Sequence, residues 1–208
     1  MHRSFVQFWQ ELNKADDREY LHSVILFATA PTLAGLKPAT LIGMPCSGRN
    51  LLKLWQTERS SVDGLSKFFG LDYLCLHQTT ATAQVLFYRR SLLEKLVIDS
   101  RCRTFLGQYD YPESTSLEGY LEIIQKRFAK GIPHEIGVFL GVPLADVSGF
   151  IRHQGTNYLL NGYWKVYSSP VTAQIAFKLF DQSKRAVLEY LNLVGSVSKE
   201  LLVNEHTR

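Results

Sequence analysis

From Gly131 to Tyr167 the chain reads GIPHEIGVFLGVPLADVSGFIRHQGTNYLLNGYWKVY, and this stretch constrains the fold more than any other. Pro133 marks one helix start, while Gly141 and Pro143 mark a turn and a second start. Tyr163 to Tyr167 then reads as an extended strand. In such a strand Tyr163, Lys165 and Tyr167 share one side, and Trp164 and Val166 share the other. The Trp/Val side is expected to face the core. The opposite side presents an ammonium between two phenols, a set suited to a phosphate, a carboxylate or a flat aromatic ligand. The other reading is a solvent-facing lysine whose stem packs on its neighbours.

With 208 residues, 46% of them hydrophobic, the chain can bury a sizeable core. The net charge of +4 permits an anionic partner without requiring one. Cys46, Cys75 and Cys102 are odd in number and widely spaced, which argues against a disulfide framework and fits a reducing compartment. No His or Cys pairs stand at metal-ligand spacing, so no metal site is expected. Val24 to Ala30 imitates part of a secretory signal, but Asp16, Asp17 and Glu19 stand where that signal needs positive charge. The run is also far short of the roughly 20 residues that span a bilayer. It reads as a buried helix of a cytoplasmic protein.

Helices are expected over residues 3–14, from Asp17 to about Thr29 with Pro31 and Gly35 breaking the pattern, and across Gly48 to Phe69 with an interruption near Ser60. Ala39–Met44, Leu71–His77 and Val85–Tyr88 read as strands, with the turn of a hairpin at Thr79–Thr82. Val85–Tyr88 is apolar on both faces, as in a covered central strand. Thr115 and Glu118 form a capping-box pattern for a helix carrying Leu117, Leu121, Ile124 and Phe128. Ser169 and Pro170 open a long last helix with Val171, Ile175 and Leu179 on one stripe. The expected fold is α+β: a helix-rich single domain over 1–208 around a small, mostly antiparallel sheet. A sub-division near 112 would separate a mixed part (1–111) from a mainly helical part (112–208).

Three patches carry a family resemblance: Ala30 to Lys37 (APTLAGLK), Pro133 to Ile151 (PHEIG through FI), and Gly162 to Tyr167 (GYWKVY). With a strand like Val85–Arg89, they make the chain resemble a domain family of unknown function common in anaerobic Firmicutes. The resemblance implies a shared bacterial fold and brings no assigned chemistry. Many members carry a cysteine where Thr29 stands, and further cysteines before the Gly-Tyr-Trp-Lys string. This chain has neither, which separates it from any thiol or metal role in the family.

Other candidate residues carry alternatives. His134, beside a helix start, is a proton donor or ligand next to the Lys165 face, or an ordinary surface histidine; His153 joins it only if the chain folds back. Glu135 at that start needs only the helix dipole to explain it. Ile136, Leu140, Val142, Val147 and Phe150 fit a helix-turn-helix hairpin over 134–152, but Leu144, Ala145 and Asp146 are poor groove-reading residues. Cys46, before a helix start with Arg49 nearby, is a candidate nucleophile with His77 as its base if their strands are neighbours. Arg89–Arg90, Arg101/Arg103 and Lys126–Arg127–Lys130 are solvated faces, or one basic stripe if folding unites them. The glycines form no dinucleotide or phosphate-loop fingerprint. The leading expectation is binding of a small anionic or aromatic ligand by Lys165, Tyr163, Tyr167 and His134, with the cofactor and any reaction undetermined. The alternatives are a nucleic-acid-binding regulator using 134–152 and a structural or interaction protein.

Overall fold

Residues 82–88 form the strand about which the rest of the chain is arranged. The computed structural model describes residues 5–112 and 116–205. Helices α1 (Phe5–Leu12) and α2 (Asp17–Leu33) precede β1 (Ala39–Pro45). Then α3 (Leu51–Thr57) and α4 (Arg59–Phe69) lead into a hairpin of β2 (Asp72–Gln78) and β3 (Thr82–Tyr88). Helices α5 (Arg90–Ile98), α6 (Ser100–Gly107) and α7 (Leu117–Phe128) follow, then α8 (Ile136–Phe139) and α9 (Leu144–Arg152). A two-stranded ladder, β4 (Leu160–Asn161) with β5 (Lys165–Val166), leads to α10 (Pro170–Glu205). The fold is α+β.

The main sheet has the order β1-β3-β2 and is antiparallel throughout. Apolar side chains on both faces of β3 explain its central place. Ala83, Val85 and Phe87 join Leu21, Ile25, Trp55 and Val62 from α2, α3 and α4 on one face. Leu86 and Tyr88 join Leu93, Tyr120, Ile124 and Phe139 from the later helices on the other. Val85, Leu86 and Phe87 are fully buried, each contributing about 1.5–3 kcal/mol of apolar transfer. Helices from both sides of residue 112 share the second cluster with the sheet.

Two boundaries differ from expectation. Helix α2 runs through Pro31 to Leu33 instead of ending near Thr29. A proline removes one intrahelical donor, and in the final turn that loss ends nothing by itself. Gly35 ends the helix: at φ +71° it lets Leu36 N–H donate to Pro31 O (2.9 Å) and its own N–H donate to Thr32 O (3.0 Å), the Schellman arrangement. The Arg89 guanidinium closes the same end, donating to Thr32 O and Leu33 O. Helix α7 is capped by Ser116, whose oxygen accepts from Gly119 N–H. Thr115, expected in that role, lies outside the described residues. The interruption near Ser60 falls at Glu58, between α3 and α4.

Glu135 exceeds its expected role. It is 2% exposed, paired with Arg127 Nε and approached by the Tyr111 hydroxyl at 3.5 Å. Burial, then the Glu135 charge, pushes the Tyr111 phenol well above its ordinary range. The pair ties the segment before α8 to α7. Arg127 is about one-third exposed and can turn to water once its partner is gone, so Glu135→Ala should destabilise the protein by about 1–3 kcal/mol in urea unfolding.

Candidate functional site

The GYWKVY string is held by one carboxylate. Asp146 on α9 is 2% exposed, and both of its oxygens are engaged. Oδ1 accepts from Tyr167 N, Ser168 N and Ser168 Oγ, each at 2.8 Å. Oδ2 accepts from Trp164 Nε1 at 2.8 Å. Four donors offset the cost of burying the charge. Gly149, one turn on, lets the Tyr167 ring approach so closely that a Cβ there would lie 2.5 Å from it. Gly162 does the same for Phe177 of α10. Regular pairing in the string is limited to Lys165–Val166, because Gly162 N–H turns back to Trp164 O. Val166 is fully buried and Trp164 packs edge-on against Phe177 at 4.6 Å.

The other row of the string divides between two locations. Lys165 folds onto its own loop: Nζ donates to Gly155 O at 2.7 Å and lies 5.1 Å from the Tyr158 ring and 5.9 Å from Phe150. Tyr167 stacks on His153 at 5.6 Å, nearly parallel, and its buried hydroxyl has no hydrogen-bond partner among the described residues. His134 is exposed, with its ring 5.1 Å from Phe150. Lys165, Tyr167 and His134 therefore border the 150–158 loop. Tyr163 turns away to α10, where its hydroxyl donates to Asp181 Oδ1 at 2.7 Å and its ring meets Phe177 and Phe180.

On that side lies a group of cations absent from the expected set. Lys184 Nζ sits 4.6 Å from the Tyr163 ring and 5.2 Å from Phe27 of α2. Lys37 Nζ, just past the Gly35 turn, sits 5.9 Å from the Phe180 ring. An open pocket of about 290 Å³ is lined by Phe27, Tyr163, Asp181, Lys184, Arg185 and Leu188. Burial, reinforced by the Lys184 charge, pushes the Lys37 ammonium down to about 8. Burial also lowers Lys184, with Asp181 opposing. The carboxylate of Asp181 already accepts from Tyr163, leaving a pocket in which positive charge exceeds negative.

The remaining candidates are dispersed. β3 lies between the strands leading to Cys46 and His77, so the expected neighbour relation does not form; strands stand roughly 5 Å apart, which places two spacings between the pair. Cys46 is exposed at the end of β1. The basic clusters are largely engaged where they stand: Arg90 with Asp72, Glu94 and Glu118, Arg101 with Asp99, and Arg103 with Val97 O. In the 134–152 hairpin α8 is a single turn. α9 turns Asp146 and Gly149 inward onto the GYWKVY segment, and Ala145 and Arg152 outward. Among the described residues no group of three or more His, Cys, Asp or Glu is placed to hold a metal ion. Nor is any helix there long and apolar enough to cross a membrane.

The chain belongs to the family described as a protein of unknown function (DUF3793), which it matches over residues 25–200. Comparison with curated proteins and with solved structures finds no match.

Asp146→Ala would leave Trp164 Nε1 and two backbone N–H groups without an acceptor. It should cost about 3 kcal/mol or more in chemical unfolding, and the near-ultraviolet circular dichroism of Trp164 should diminish with it. Lys37 behaves oppositely. Its unfolded-state pKa of 10.5 exceeds the folded value, so the unfolded chain binds the proton more tightly. The cost of burying the ammonium is complete below about pH 8 and is relieved as pH rises from 8 to 10.5. Lys37→Met should raise Tm at pH 7, and that gain should shrink as pH rises through this window.

Proposed function

We propose that this protein binds a small anion carrying a flat or aromatic group, in the groove between α2 and α10. Lys37, Lys184 and Arg185 supply the charge, and Phe27 and Tyr163 supply the wall. One observation carries the reading: two ammonium groups, both depressed by burial, stand over three aromatic rings beside an open pocket of ligand size. Holding such cations together without a full complement of carboxylates costs stability, and an anion would repay it. A phosphate or carboxylate fits the cations, while a flat ring fits Tyr163 and Phe27. These groups provide charge and stacking, which are the requirements of binding.

Tyr163 links this reading to the GYWKVY string, whose strand hands it to α10. Lys165, already donating to Gly155 O, serves as a brace for the 150–158 loop, with Tyr167 and His134 on its margins. The inward turn of Asp146 and Gly149 favours a packing role for 134–152 over groove reading. Three unpaired cysteines, one of them exposed, favour a reducing, cytoplasmic setting.

Thermal shift and calorimetry with nucleoside monophosphates and aromatic carboxylates test the reading, with inorganic phosphate as the charge-only control. Lys184→Ala and Lys37→Met should each weaken binding about tenfold, the equivalent of one charge-assisted contact. Lys165→Ala should leave binding in place. Affinity should be level below about pH 8 and fall above it, as the Lys37 ammonium loses its proton. If no compound in the panel binds, or Lys165→Ala abolishes binding that Lys37→Met and Lys184→Ala leave intact, the α2–α10 groove is not the site.

A further inference from the structure

Two turns of α10 present one row to the α2–α10 groove: Asp181, Lys184 and Leu188, spaced three and four apart. All three line the pocket of about 290 Å³, together with Phe27, Tyr163 and Arg185. Lys184 is half-buried, and its Nζ lies near both rings, 4.6 Å from Tyr163 and 5.2 Å from Phe27. The Asp181 carboxylate accepts from the Tyr163 hydroxyl through Oδ1, and Oδ2 accepts no hydrogen bond among the described residues. A second depression, of about 320 Å³, shares Asp181 and Arg185 with the first and adds Lys178, Gln174 and Gln182. An amine, a carboxylate, a phenol and a guanidinium therefore meet at one opening. In a site that only attracts an anion, a carboxylate on the wall is a liability, because it repels the ligand. In a site where an amine reacts with a carbonyl group the same carboxylate is needed, because the nitrogen must lose protons and the departing oxygen must gain them.

We infer that Lys184 is a nucleophilic lysine, which condenses with the carbonyl group of an anionic aldehyde or ketone to form a Schiff base. This rests on the anion-binding reading of the same groove and adds the reacting group to it. The Lys184 ammonium gives one proton to Asp181 Oδ2, and the freed Nζ lone pair attacks the carbonyl carbon. The π pair of the carbonyl passes to its oxygen, which takes a second proton from the nitrogen. Asp181 then returns its proton to that oxygen, the C–O bond breaks, and water leaves as the protonated C=N bond forms. Nitrogen gives up two protons, both leave in the water, and no electrons pass to or from an outside reagent. Tyr163 holds Oδ1 and so leaves Oδ2 for the proton. Burial favours the neutral amine of Lys184, with the Asp181 charge opposing. Repulsion between the Lys37 and Lys184 ammonium groups acts with burial, the combination that activates an amine. The Arg185 guanidinium, on the rim common to both depressions, takes a phosphate or carboxylate. The Tyr163 and Phe27 rings take a flat, conjugated carbonyl compound.

Pyridoxal phosphate, a flat aldehyde carrying a phosphate, is the probe. The full chain is incubated with an equimolar amount, reduced with sodium borohydride and mapped by peptide mass spectrometry. One adduct per chain should form, at Lys184, and adenosine monophosphate should suppress it by competing for the groove. Lys184→Arg keeps the cation and cannot form an imine, so the adduct should be lost with circular dichroism unchanged. Asp181→Asn should slow adduct formation more than it lowers the final yield, and an unchanged rate overturns the proton-carrying role of Asp181. The wild-type map decides the site even where a variant fails to fold. An adduct spread over surface lysines, or one on Lys37, overturns the assignment to Lys184. Calorimetric binding of adenosine monophosphate that Lys184→Ala weakens, with no adduct trapped by borohydride, overturns the Schiff base and leaves the anion-binding reading standing. Neither binding nor adduct overturns both.

Discussion

The last third of the molecule depends on the Asp146 carboxylate. It gathers the indole of Trp164, the amides of Tyr167 and Ser168 and the Ser168 hydroxyl, and so fixes where the GYWKVY segment leaves α9 and where α10 begins. An unpaired buried carboxylate would take up a proton or draw in water. With four donors it becomes a rigid joint, and the direction of α10 is set at its first turn. Everything α10 brings to α2, including Lys184 against Phe27 and Tyr163, follows from that angle. The joint explains why glycine occupies 149 and 162: side chains there would hold Tyr167 and Phe177 away and open the hinge.

A second consequence concerns charge. Lys37 follows the Gly35 turn that ends α2, and its side chain is carried beneath α10 toward Phe180. The ring offers its electron-rich face, a modest compensation of about 0.5–1 kcal/mol at exposed sites and more when desolvated. No carboxylate appears among the groups acting on Lys37, and its second perturbation comes from another lysine. Several arginines elsewhere are matched to acids: Arg90 to three, Arg49 to Asp17, Arg127 to Glu135. Lys37 differs from these in combining burial with a second cation nearby, which suits a group that pairs with something outside the chain.

Much of the fold was legible from residue order. β3 announced itself by apolar side chains on both faces, the Thr79–Thr82 turn by its composition, and α10 by Ser169 and Pro170. The site was less legible, for a geometric reason. Tyr163, Lys165 and Tyr167 alternate correctly, but regular pairing is confined to Lys165 and Val166. The turn at Gly162 therefore sends Tyr163 to α10 while Lys165 and Tyr167 stay with the 150–158 loop. Alternation assigns a side in an extended chain and says nothing once a tight turn begins. Lys37 and Lys184 are far apart in sequence, and each reads alone as an ordinary surface lysine. Their encounter depends on the tertiary angle of α10, for which no local pattern exists. Lys37 does lie in the APTLAGLK string, and the signal there was a lysine two residues after a helix-ending glycine. The ion pair of Glu135 was no more legible, because its half-buried partner Arg127 belongs to the preceding helix.

The two faces of α10 also illustrate why hydrophobic periodicity alone does not identify a core. Val171, Ile175 and Leu179 are spaced as a buried stripe should be, but the helix turned Ala173 and Phe180 inward instead. The inner face is the one that can approach α2 closely, since small Ala173 and Ala176 alternate with large Phe177 and Phe180. Its wide rings reach across to Tyr163 and Trp164. The outer stripe consists of medium-sized side chains without such contrast, and it faces solvent. A helix carrying both kinds of face is bound to its own domain by shape and exposes a second, regular row. That row is the kind of surface an interhelical contact can cover.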